Sequence, residues 1–398
     1  MTDDSLLRFR DEFPILETTT YLVSNSLGAM PRAVPGQLAE YAEQWATRGV
    51  RAWAQGWWEM PITVGDEIAL LIGAGRNEVA MVPNVTIAQA QILSSLDYTQ
   101  DGRDTIVMTE MDFPSVRYVY DALAARLGAR IVVVPSDDGV SIDEEKLLAA
   151  IDERTRLVSI SHVLFRSAYV LDATRICEHA HRMGALVALD AYHSVGVVPV
   201  DVKAMGADFL TGGVLKWLCG GPGGSFIWVS PDVSERLSPA LTGWQAHEHP
   251  FAFEPEMSYA KGAWGWLTGT PVIPALFAAS AGPRILREAT MDAIREKSVR
   301  QTSRLIALAD ARGFTVTTPR DPARRGGTVA FDVPHAREVA QALLARDVIV
   351  DYRPGAGIRV APHFYTSDGE VESVVEIIDE ILAKDAWKKY SHEKLVVT

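Results

Sequence analysis

A series of short apolar runs, each rich in β-branched residues and followed by a longer amphipathic stretch, constrains this chain more than any other feature. The runs are Thr105–Glu110, Arg130–Pro135, Arg156–Val163, Ala185–Asp190, Ala207–Gly212 and Ser225–Val229. Their hydrophobicity is continuous rather than alternating, as suits strands covered on both faces. Between them, stretches such as Ser115–Leu127, Asp143–Ile151 and Ala173–Arg182 carry helical spacing. Strand alternating with helix predicts an α/β layer around a mainly parallel sheet.

After about residue 275 the rhythm changes. A long helical stretch, Pro283–Ala311, precedes short strands near Phe314–Thr317 and Gly327–Asp332. A helix at Ala336–Ala345, strands at Val348–Asp351 and Gly357–Val360, and a last helix at Gly369–Ala383 follow. This pattern predicts a second, smaller α+β unit. A chain of 398 residues is long for a single core. The expected division is a large unit over 31–275 and a small one over 276–398, with residues 1–30 packed on the small unit.

Charge narrows the function. There are 38 Lys and Arg against 51 Asp and Glu, a net −13. Such a surface argues against a nucleic-acid binder, which needs a basic face to neutralise phosphates. The two cysteines, Cys177 and Cys219, are too few for a disulfide framework or a four-cysteine zinc site. No apolar run approaches the ~18 residues of a membrane span, and the first residues carry no apolar targeting core. The expectation is a cytoplasmic protein that binds neither membrane nor metal. His179 and His181, two apart on a predicted helix, do not share a face. Gly73-Ala-Gly75 mimics the start of a dinucleotide fingerprint but lacks its third glycine and a preceding strand, so it reads as a helix-ending turn.

The strongest chemical signal runs from Asp190 to Lys216. DAYHSVG begins at the end of one predicted strand, and GGVLKWLCGGPGG follows the next. In parallel sheets the strand C-termini open into the ligand crevice, so a carboxylate and an amine share one edge. The amine lies among glycines that permit close backbone approach. This pairing suits pyridoxal phosphate, where an amine forms an imine and a carboxylate keeps the ring nitrogen protonated. Read singly, Lys216 is a surface lysine and Asp190 a helix cap; their joint placement favours the catalytic reading.

Further segments extend the pattern. They are YLVSNSLGAMP at 21–31, RAWAQGWW at 51–58, DFPSVRY at 112–118, TGWQAH at 242–247, LTGTPVI at 267–273 and DYRPGAGIRVAPHFY at 351–365. With the lysine region they make the chain resemble the class V aminotransferase family of fold-type I pyridoxal-phosphate enzymes, in its kynureninase-like branch. The resemblance implies a large domain with a mainly parallel sheet, a small α+β domain and a homodimer with shared active sites. It implies Lys216 as the Schiff-base lysine, Asp190 at the pyridine nitrogen, His193 beside the ring and Phe113 stacked on it. Val85 and Thr86, at a predicted helix start, would bind the phosphate, and Trp244, Gly269 and Thr270 would complete that site from the partner. Arg359 would clamp the substrate carboxylate as a bidentate fork, with Asn25 and Arg166 as further substrate-binding residues and Arg353 a weaker candidate.

Two positions depart from the kynureninase pattern. Leu215 stands where that branch has Tyr, and Val116 where it has Asp. Both losses remove polar groups that a hydrolytic step draws on. The expected function is therefore a lyase acting at the side chain of an L-amino acid, such as a C–S lyase on a cysteine S-conjugate. Kynureninase is the alternative, followed by aminotransferase, epimerase or oxidative decarboxylase, and more remotely a non-catalytic regulator. A mobile catalytic cysteine of the desulfurase kind is not expected from Cys177 or Cys219. The Trp- and His-rich segments read equally as a wall for a bulky substrate and as interface packing.

Overall fold

The computed structural model describes residues 4–391. A short strand, β1 (Thr20–Tyr21), follows two 3₁₀ turns at the N-terminus. The large sheet is built from β2 (Val79–Val82), β3 (Thr105–Thr109), β4 (Arg130–Val134), β5 (Thr155–Ser161), β6 (Leu186–Asp190), β7 (Phe209–Gly213) and β8 (Ser225–Val229). Its order is β2-β8-β7-β6-β5-β3-β4. Strands β7, β6, β5, β3 and β4 are mutually parallel, and β8 runs against both its neighbours. The apolar runs predict six of these strands to within about two residues at either end. Missed was β2, a four-residue strand whose sequence, VAMV, is too short to show a period.

Helices cover both faces of this sheet, so β3, β7 and β8 are buried along their whole length and β5 and β6 at all but one residue each. That is the physical reason for continuous rather than alternating hydrophobicity. One apolar cluster gathers Val107, Val158, Val187 and Leu210 on one face, and another gathers Ile106, Leu157, Ala188 and Phe209 on the other. The neighbouring residues of each strand thus feed opposite layers, as the pleat requires.

A second sheet contains β9 (Thr315–Val316), β10 (Val329–Asp332), β12 (Asp351–Arg353) and β13 (Gly357–Val360), with β11 (Val348–Ile349) just before β12. All its pairings are antiparallel. β1 pairs in parallel with β11, and Val23 bridges to Ala361, so the N-terminal segment lies against the C-terminal strands. The predicted long helix over Pro283–Ala311 is two helices, Ala281–Ala289 and Met291–Asp310. Thr290 breaks it with φ +67°, and its side chain then caps the second helix. No helix among the described residues is long and apolar enough to cross a membrane.

Candidate active site

The loops that leave the strand C-termini converge on one cavity of about 340 Å³, within the range of small-molecule sites. Each contributes in turn. After β2, Asn84 accepts the Ile87 N–H as the cap of the helix Val85–Ser94, which presents Val85 and Thr86 to the cavity. After β3, the buried Asp112 carboxylate accepts the N–H groups of Thr109 and Ser161 at 2.8 and 2.7 Å. This ties two neighbouring strands and sets Phe113 at the cavity wall. After β5 come Val163 and Phe165; after β6, Asp190, Tyr192 and His193; after β7, Leu215 and Lys216.

Lys216 lies at the floor, enclosed by protein except towards the cavity. Its Nζ donates to His193 Nε2 at 2.7 Å. The Phe113 and Tyr192 ring centroids stand 5.3 and 5.2 Å from that nitrogen, so the amine has an aromatic surface on two sides. Burial pushes the Lys216 amine below its ordinary value, opposed by the Asp190 charge. Burial also lifts the Asp190 carboxyl above the usual carboxylate range, opposed by the Tyr192 N–H, which it accepts at 2.9 Å. His193 is held well below an ordinary imidazole by burial and by the cations Lys216 and Arg359. The ring is therefore neutral, and its Nε2 is free to accept from Lys216.

The C-terminal sheet supplies the opposite wall. Arg359 on β13 is 3% exposed and sits directly across from Asp351 on β12. Its guanidinium donates to the Asp351 carboxylate and to the Phe165 carbonyl. Asp351, wholly buried, also meets Arg353 at 2.8 Å. Asn25, just after β1, lines the same cavity at 1% exposed, yet neither of its amide atoms has a partner. A buried amide left unpaired is costly, so a ligand atom is what this geometry lacks.

These observations test the fit of pyridoxal phosphate. A buried amine, a buried carboxylate at the same sheet edge, a ring-sized aromatic wall, a helix start and an unpartnered amide all face one space. The residues present fit the group.

Lys216, Asp190, His193, Val85, Thr86, Phe113, Asn25 and Arg359 thus line a common cavity. Arg166 does not: it is exposed, with its guanidinium over the Phe165 ring, and Phe165 takes the cavity position. Trp244, Gly269 and Thr270 also lie outside it. Trp244 is 42% exposed against Trp58, Phe251 and Phe253, while Gly269 and Thr270 border a separate small pocket. Val116 is 2% exposed among Ile92, Val119 and other apolar groups. Its difference from the kynureninase pattern therefore falls in the core rather than on the cavity wall, unlike that of Leu215. Sequence reasoning missed Tyr192 and Ser115, both on the cavity. The aromatic inside DAYHSVG was the available signal for the first. Among the described residues no cluster of His, Cys, Asp and Glu could hold a metal ion.

The profile of the family described as aminotransferase class-V matches residues 20–366. The chain belongs to the aminotransferase class-V family. It is 35% identical to kynureninase from Pseudomonas fluorescens, over 96% of this chain and 94% of that one. It is 33% identical to kynureninase from Burkholderia mallei (strain SAVP1), over 97% and 94%. Among solved structures, an apo cysteine desulfurase from Thermococcus onnurineus NA1 superposes with a TM-score of 0.83 at 22% identity, covering 95% of this chain and 98% of that one. The cystine C–S lyase C-DES, in complex with its product cysteine persulfide, gives 0.84 at 21% identity, covering 92% and 99%. These structures share the fold, a mixed α/β architecture with a mainly parallel sheet.

Proposed function

We propose that this chain is a pyridoxal-phosphate-dependent lyase that cleaves a bond at the side-chain Cβ of an L-amino acid. Elimination of a β-substituent, such as the thiol of a cysteine S-conjugate, is its preferred reaction. One observation carries the reading. Lys216 is hydrogen-bonded to a neutral His193 in a cavity where, among the described residues, the only lining carboxylate is the buried Asp190.

When bound, the cofactor supplies an electron sink that stabilises negative charge at the substrate Cα. Lys216 would hold it and then take the Cα proton, its amine oriented by the hydrogen bond to His193. Asp190 would pair with the ring nitrogen and Phe113 would stack on the ring. Val85 and Thr86 would receive the phosphate at their helix start. Arg359 and Asn25 fix the substrate carboxylate. Phe165, Val163 and Leu215 add apolar surface to the cavity, and Leu215 offers no polar atom to orient the water that a hydrolytic cleavage requires. An elimination needs only the Cα proton removed and a group at Cβ able to leave, so this wall does not hinder it.

A homodimer belongs to the reading. Trp58, Trp244, Phe251 and Phe253 form a ring cluster in which Phe251 and Phe253 are 61% and 74% exposed. A second copy covering it would bring Trp244, Gly269 and Thr270 to its partner's phosphate.

Kynureninase activity is the second reading, favoured by the identity to the curated kynureninases. The test is parallel incubation of the holoenzyme with L-kynurenine and a panel of cysteine S-conjugates, assaying anthranilate, pyruvate and free thiol. Pyruvate and thiol in equal amounts are expected. Efficient anthranilate release with no pyruvate would replace the first reading with the second.

A further inference from the structure

A hydroxyl absent from one position of the cavity is present at another. The kynureninase-like pattern places a tyrosine immediately before the lysine, and Leu215 has no polar atom to offer there. Tyr192 enters the same cavity from the preceding strand end. Its phenol lies across β7 and meets the Ser225 hydroxyl at the start of β8.

Gly213 makes that path possible. A Cβ at this position would stand 2.2 Å from the Tyr192 Cε1 and Cζ and 2.3 Å from its hydroxyl. The backbone of Gly213 pairs with Ser225 in the ladder, so the glycine and the serine are adjacent rungs beneath the phenol. Ser225 is fully buried, and its hydroxyl shares a hydrogen bond with the phenol; with the serine as donor, the phenol proton is left for the cavity. Burial pushes the phenol up to about 12, so it keeps that proton at any working pH.

We infer that Tyr192 is the hydroxyl that binds the cofactor phosphate in this chain, admitted by Gly213 and aimed by Ser225, in place of a tyrosine at 215. This rests on the proposed pyridoxal-phosphate function and assigns a ligand within it. The three oxygens of a phosphate need several donors, and Tyr192 joins the Val85 and Thr86 N–H groups at one end of the cavity. The ring also flanks Lys216, so the same side chain spans the distance from phosphate end to amine.

The experiment titrates cofactor-free protein with pyridoxal phosphate and, separately, with pyridoxal, which lacks the phosphate. Binding is followed by tryptophan fluorescence. The parent should prefer pyridoxal phosphate. Tyr192→Phe keeps the ring and removes one hydrogen bond to a charged group, so its affinity for pyridoxal phosphate should fall about ten- to hundredfold. Its affinity for pyridoxal should not change. Gly213→Ala, which displaces the ring from both Ser225 and Lys216, should weaken both ligands, pyridoxal phosphate the more. Leu215→Tyr added to Tyr192→Phe should restore the preference. A Tyr192→Phe variant with parental affinity for pyridoxal phosphate, or one that loses both ligands alike, would overturn the assignment while leaving the cofactor reading intact. A parent that binds the two ligands equally would instead remove the cofactor reading itself.

Discussion

Arg359 is asked to do two jobs, and a pair of substitutions separates them. Its guanidinium holds the buried Asp351 carboxylate and the Phe165 carbonyl, which joins the C-terminal sheet to a loop of the large sheet. It is also the proposed carboxylate clamp. Arg359→Met keeps the length and removes the charge. Truncating one partner of a buried pair typically costs about 3–5 kcal/mol, because the other charge is left unpaired. Arg353 remains 2.8 Å from Asp351, so the low end, about 3 kcal/mol, applies. At about 2 cal/mol/K of unfolding entropy per residue, 398 residues give about 0.8 kcal/mol/K, so the melting temperature should fall by about 4 °C. Loss of hydrogen bonds to a charged substrate group should raise KM about ten- to hundredfold. Adding Asp351→Asn removes the stranded charge. The double variant should regain most of its melting temperature, read by differential scanning fluorimetry, while its KM stays high. A single variant with parental melting temperature would refute the structural role. A double variant with parental KM would show that the guanidinium does not touch substrate.

Lys216→Ala should abolish turnover and the visible absorbance of the bound cofactor, and borohydride should then fix no cofactor to the chain; fixation at another lysine contradicts the assignment. His181 Nε2 lies 2.8 Å from the Asp208 carboxylate, which raises the imidazole above its ordinary value of 6.5. A raised folded value means the stabilisation is complete below 6.5 and is lost as the pH climbs through the folded value. His181 is half-exposed, so the effect is below about 1 kcal/mol: His181→Gln should lower the melting temperature slightly at pH 5.5 and not at pH 9, and a pH-independent difference would contradict this. Burial pushes the thiols of Cys177 and Cys219 up to about 12, so iodoacetamide should label neither in the folded protein and leave activity unchanged; rapid labelling of either thiol would show a reactive cysteine.

What the sequence made legible follows the range of the forces involved. Strands β3 to β8 could be read because a fully covered strand needs an unbroken apolar run, a local property. Asp190 and Lys216 could be placed on one edge because parallel strands put all their C-termini on one side, and one pattern then locates many loops. The break at Thr290 was not legible, since Pro283–Ala311 has no internal glycine or proline after its first residue. A non-glycine residue at φ +67° is held by its surroundings rather than by its own preference. Val116 illustrates the opposite error: one turn into a helix, a residue next to the cavity in sequence points into the core instead. Arg166 misled in the same way, because Phe165, Arg166 and Ser167 form a turn, closed by the Ala168 N–H to the Leu164 carbonyl, that presents Phe165 to the cavity and leaves Arg166 exposed.

The two walls of the cavity have different origins, and this shapes what each can control. The large sheet supplies Lys216, Asp190, His193, Phe113, Tyr192 and the helix start at Val85, all at strand ends locked by a continuous ladder. Asp112 adds a carboxylate tie between β3 and β5. Such a wall is rigid because moving any one loop breaks hydrogen bonds of its neighbours. The facing wall comes from chain ends remote in sequence: Asn25 follows β1, which pairs with β11, and Arg359 lies on β13. Several polar bonds tie it to the first wall, among them Arg359 to the Phe165 carbonyl, His363 to the Trp217 carbonyl, the Gly28 N–H to the Leu215 carbonyl and Arg324 to Glu144. On the proposed function the cofactor would sit against the large-sheet wall and the substrate carboxylate against the facing one. Arg359 would then serve both walls, since the guanidinium proposed to meet the substrate also holds the Phe165 carbonyl.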